Sequence, residues 1–70
     1  MATTYTAVVQ QDGGWWIGWI EEVPGVNSQG HSREELIDNL RDALEEALEM
    51  NRADARAAAS GAYEEVSILA

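Results

Sequence analysis

A chain of 70 residues makes a single small domain, 1–70, and a domain of that size buries only about 60% of its unfolded surface. It has no cysteine, so neither a disulfide nor a thiolate metal site supplements the core, and stability must come from packing alone or shared with another chain. Four Arg, no Lys and thirteen Asp or Glu give a net charge of -9, which repels a phosphate backbone and argues against nucleic-acid binding by this chain.

The same charge attracts a basic protein partner, although acid on a surface also serves solubility alone. The first residues, MATTYTAVVQQ, lack the basic start and apolar run of a secretory signal, and no stretch approaches the ~18 apolar residues of a membrane span. The expectation is a cytoplasmic protein with no membrane contact. From Thr3 to Gln10 the β-branched run TTYTAVVQ sets Tyr5, Ala7 and Val9 against Thr4, Thr6 and Val8, which predicts a strand. Asp12-Gly13-Gly14 then supplies the turn of a hairpin. The second strand, Trp15 to about Glu21, holds all three tryptophans in WWIGWI. Val23-Pro24-Gly25 ends it, and a short third strand fits Val26 to Gln29 before Gly30 turns the chain again.

Ser32 followed by Glu35 forms a capping box, and Glu34 adds negative charge at the positive end of a helix dipole. Leu36, Leu40, Leu44 and Leu48 then recur every four residues, with Ile37, Ala43 and Ala47 beside them, as one apolar stripe that must lie on a sheet. Beyond it, NRADARAAAS either extends the helix to Ser60 or forms a second short one before Gly61. In the closing YEEVSIL, Val66 and Ile68 alternate with Glu65 and Ser67, which predicts a last strand over Tyr63 to Leu69. The fold class is α+β, in the order β-β-β-α-β, with a small antiparallel-rich sheet and one main helix on one face.

Alternate residues of a strand point to opposite sides, so Trp15, Ile17 and Trp19 share one face and Trp16, Gly18 and Ile20 the other. Both faces are apolar. One amphipathic helix covers only one of them, which leaves aromatic surface for a partner, for another copy, or for both. The alternative is a strongly twisted hairpin whose Trp rings fold over its own edge. Trp16 and Trp19 are the expected contact anchors, because they lie on opposite faces and at least one of them misses the helix stripe. The candidate contact residues are Trp15, Trp16 and Trp19, with Glu21 and Glu22 as charge at the rim.

The run EEVPGVNSQGHSREELIDNLRDALEEAL, following an aromatic strand, resembles the N-terminal domain of HicB-type antitoxins. That family shows a Pro-Asp-Leu-Pro-Gly-like turn, a Gln-Gly-Asp-Thr-like step and a helix with Glu-Glu-Ala. The matching positions here are Glu21-Glu22-Val23-Pro24-Gly25, then Gln29-Gly30-His31-Ser32, then Glu34-Glu35-Leu36. The likeness covers about Tyr5 to Leu48 in detail and the final strand in general position. It implies a reduced ribonuclease H-like domain that binds a small basic HicA-type toxin, an mRNA-cleaving protein, and masks its active surface. Glu21 replaces the first Pro of the turn, Val26 the usual Cys, and His31-Ser32 the Asp-Thr pair; Ser32 still caps the helix. The ribbon-helix-helix or helix-turn-helix segment that many such antitoxins carry toward the C-terminus is not found in these 70 residues, and promoter binding by them is not expected.

Asp38, Asp42, Glu45, Glu46 and Glu49 form an acidic helix face, and Arg41 sits within ion-pair spacing of Asp38 and Glu45. A hydrated, ion-paired face accounts for them better than a metal cluster. The fold implied by the resemblance raises two-metal catalysis, but strand carboxylates are limited to Glu21, Glu22, Glu64 and Glu65. His31 has no Ser, Cys or second His to work with. No catalytic residue, metal ligand or cofactor is assigned. Pro24, Gly25 and Gly30 set turns, and Ser32 with Glu35 caps the helix. The expectation is an antitoxin-like protein-binding module that is a dimer or tetramer. The alternative is a homo-oligomeric scaffold, or a small-ligand-binding protein, without a toxin.

Overall fold

The computed structural model describes residues 4–68 as three strands followed by one helix: β1 (Ala7–Asp12), β2 (Trp15–Ile20), β3 (Asn27–Gly30) and α1 (Arg33–Ala57). The strands form an antiparallel meander in the order β1-β2-β3, with Ala7 opposite Ile20, Asp12 opposite Trp15, and Gly18 opposite Ser28. The class is α+β, with the helix on one face of the sheet.

Local chemistry accounts for each junction. The β1–β2 loop is the pair Gly13-Gly14, and a φ of 62° at Gly13 matches a two-residue hairpin turn of the type that follows strand twist. Val23 to Val26 is a second turn, in which the Val26 N–H donates to the Val23 carbonyl at 3.4 Å. Pro24 presets φ at its second position, and Gly25, at φ 88°, occupies the third, where an L side chain is disfavoured. The helix starts where the Ser32 hydroxyl accepts from the Glu35 N–H at 3.1 Å. Glu34 and Glu35 lie in its first turn and Arg56 in its last, both matched to the dipole.

The core is thin. Ile20, Val26, Leu36 and Leu40 are buried, and Tyr5, Ala7, Val9, Trp16, Val23, Ala43, Leu44 and Ala47 pack around them half-covered. The helix presses closest at two glycines. A Cβ on Gly18 would stand 2.7 Å from the Val8 carbonyl and 3.2 Å from both Leu36 and Leu40. One on Gly30 would stand 2.8 Å from the Leu36 backbone nitrogen. Gly30 therefore does not turn the chain, as the sequence suggested: it ends β3 and lets the first turn of α1 sit on the strand.

Two further sequence expectations need correction, and one open alternative is decided. The first strand begins at Ala7, past Thr4 to Thr6, where the regular ladder with β2 ends at Ile20; Thr3 lies outside the described residues. The segment NRADARAAAS is one continuation of the helix as far as Ala57, not a separate element. Tyr63 to Ile68 form no strand, and Leu69 lies outside the described residues. The reason is geometric. A helix of 25 residues runs about 37 Å against about 20 Å for a six-residue strand, so its end carries the tail past the sheet. There Arg56 Nε donates to Glu65 Oε1 at 2.8 Å and holds the tail beside the last helical turns. The molecule is accordingly long, 51 × 22 × 15 Å.

Candidate functional site

Strand parity divides the tryptophans as their spacing implies. Trp16, Gly18 and Ile20 face α1, and the Trp16 ring packs half-buried against the core. Trp15, Ile17 and Trp19 face the other way, where no element among the described residues covers them. Trp15 and Trp19 are each 42% exposed, and Ile17 between them is half-buried.

The neighbours of this row follow from the register. On β1, Val8, Gln10 and Asp12 lie opposite Trp19, Ile17 and Trp15; on β3, Asn27 and Gln29 lie opposite Trp19 and Ile17. The face is thus an apolar ridge along the central strand with a mostly uncharged amide border. Apolar centres with polar rims are the usual anatomy of protein-binding surfaces. One end of the ridge is closed by His31, whose ring lies 4.2 Å from that of Trp15 at an interplanar angle of 30°. The sequence offered no signal for that stacking, because it depends on the path from β3 into the helix.

Of the proposed contact residues, Trp15 and Trp19 share the uncovered face, whereas the expected anchor Trp16 does not serve as one, because strand parity turns its ring under α1 against the core. Glu21 and Glu22 lie just past the end of β2 and are exposed. Glu22 also serves the fold, since its carboxylate accepts the Thr6 N–H at 2.7 Å and so extends the β1–β2 pairing by one residue. That bond lowers its pKa from the ordinary 4.5. Asp38, Asp42, Glu45, Glu46 and Glu49 all face solvent, with Arg41 paired to Asp38 at 3.0 Å. Among the described residues no group of three His, Asp or Glu side chains gathers as a metal-holding cluster.

No family model matches the chain, and searches of the curated proteins and of the solved structures return no match. Among the described residues no helix is long and apolar enough to cross a membrane.

The two free edges of the sheet differ. At β3, Asn39 of the helix donates from Nδ2 to the Gln29 carbonyl at 2.9 Å and so closes part of the edge. At β1 the helix makes least contact, leaving a groove between strand and helix lined by Tyr5, Ala7, Ile37, Leu40, Arg41 and Leu44. A second hollow separates the end of α1 from the tail, bounded by Arg52, Ala55, Arg56 and Tyr63.

Proposed function

We propose that this chain is a protein-binding module of antitoxin type, in a reduced ribonuclease H-like fold of the HicB kind, whose contact ridge is Trp15, Ile17 and Trp19. The observation that carries the reading is the uncovered aromatic row on the central strand. Two half-exposed indoles flanking an Ile on a 70-residue chain are costly to leave in water and are strong anchors once buried. The partner that fits is a small basic protein such as a HicA-type toxin. The excess of acid steers it inward, Glu21 and Glu22 meet its cations at the rim, and the ridge covers its RNA-cleaving surface. The turn residues Val23-Pro24-Gly25 and the capped start Ser32-Arg33-Glu34-Glu35 support the family reading by their order and spacing.

The experiment is co-purification with the product of a neighbouring reading frame that encodes a basic protein, followed by an RNA-cleavage assay of that product with and without this chain. Binding that weakens with salt, that suppresses cleavage and that is lost in Trp19→Glu supports the reading. Undiminished binding by the Trp15→Glu/Trp19→Glu double variant overturns it.

A second reading is favoured by the uncharged border of Gln10, Asn27 and Gln29: a homo-oligomer in which two ridges cover each other despite the net charge. Sedimentation of the purified chain separates the two readings. A dimer or tetramer that Trp19→Glu returns to monomer supports the second.

A further inference from the structure

We propose that the groove between β1 and α1 receives the C-terminal segment Tyr63 to Ile68 of a second copy of this chain, added as a strand along the free edge of β1. This surface lies on the opposite side of the sheet from the Trp ridge and is independent of the function assigned to that ridge.

Four observations meet here. First, β1 is an edge strand, and its backbone alternates. The Glu21 N–H donates to the Thr6 carbonyl and the Thr6 N–H to Glu22, so Thr6 points toward β2. By that alternation Ala7, Val9 and Gln11 present N–H and C=O groups outward, where a further strand pairs with them. Second, the side chains beneath that edge are apolar: half-covered Tyr5, Ala7, Ile37 and Leu44, with buried Leu40 among them, form a trough that the helix leaves unfilled.

Third, the tail has the complementary pattern. Glu64, Val66 and Ile68 fall on one side of an extended chain, and Val66 and Ile68 are 67% and 84% exposed. Seated at β1, those two fill the trough, and Glu64 shares their side with Arg41, the cation on the groove lining.

Fourth, the tail does not reach its own groove as it stands. Glu65 is bound to Arg56, and Leu44 lies twelve residues earlier on the helix, about 18 Å along its axis. Ile68 is three residues beyond Glu65, a reach of about 10 Å. The tail projects from one end of a 51 Å molecule and the groove lies toward the other, which suits exchange between two copies.

The test exploits the absence of cysteine. A nitroxide is attached at Ser67→Cys, an exposed position on the side of the tail away from the trough. This chain, at natural isotope abundance, is mixed with cysteine-free chain enriched in nitrogen-15. The expected result is loss of amide signal from Ala7, Leu40 and Leu44 of the enriched chain, and recovery of that signal when the nitroxide chain also carries Ile68→Glu. Trp19→Glu in both chains should leave the effect in place, which separates this surface from the ridge. The inference is overturned by no loss of signal in the enriched chain, or by loss confined to the ridge residues Trp15 and Trp19.

Discussion

The imidazole of His31 lies against the indole of Trp15, with ring centroids 4.2 Å apart. A residue from the entry to the helix thus shields one end of the aromatic ridge. Replacing it, His31→Ala, should shift Trp emission toward the red and leave helical circular dichroism unchanged, because the Ser32 cap does not depend on it. An unshifted spectrum would show that the stacking shields nothing.

The tryptophans should divide by face. Trp19→Glu should lose partner binding at the ridge with little change in the melting temperature of the chain measured without that partner. Trp16→Ala, which removes a half-buried ring from the core, should cost about 2–3 kcal/mol. Chemical denaturation of the two variants checks this, and equal costs would mean the sheet is covered alike on both sides.

Gly18→Ala should leave the chain largely unfolded at 25 °C. The added carbon meets a backbone carbonyl at 2.7 Å and both buried leucines of the helix, none of which gives way cheaply. Leu36→Ala empties the most buried position and should cost about 2–5 kcal/mol. At roughly 0.05–0.15 kcal/mol per residue, a chain of 70 residues holds about 4–10 kcal/mol, so such a loss is a large share of the whole. Proton spectra with native-like methyl dispersion in Gly18→Ala would refute the packing argument.

Glu22 gives a pH signature. The Thr6 N–H favours its charged form in the fold, so its folded pKa lies below the ordinary 4.5. Its contribution is fully present above 4.5, and it fades as pH falls through the lowered folded value. Glu22→Gln should lower the melting temperature at pH 7 and converge with the parent in strong acid. Carbon-13 titration of the Glu22 carboxyl, giving a midpoint at or above 4.5, would contradict the sign.

The outer half of the helix should open first. From Glu49 to Ala57 every residue is exposed, and the ion pairs Arg52–Glu49, at 3.7 Å, and Arg56–Glu65 sit in solvent, where such pairs contribute little. Amide exchange should be fast there and slow around Leu36 and Leu40.

Elements governed by short-range chemistry were legible in the sequence. Gly13-Gly14 and Pro24-Gly25 marked the turns, Ser32 with Glu35 the helix start, and strand parity the division of the tryptophans. Parity applied to the neighbouring strand would also have put Val8 on the ridge. The role of Gly30 was not legible, since it is set by how near the helix approaches. The tail was misread because Val66 and Ile68 alternate as a strand does, while pairing depends on an edge within reach. The uncovered ridge followed from one helix stripe serving two oily strand faces; which face the helix takes was decided by Gly18 and Gly30, the two places thin enough to admit it.

A compact chain of this length has a radius of gyration near 11 Å, whereas this one measures 15.3 Å. Much of its length therefore adds nothing to its own interior. For such a molecule, heat resistance and occupancy are one measurement: whatever settles on the ridge or in the groove raises the melting point by mass action, and the dependence of that temperature on protein concentration reports how strongly copies hold each other.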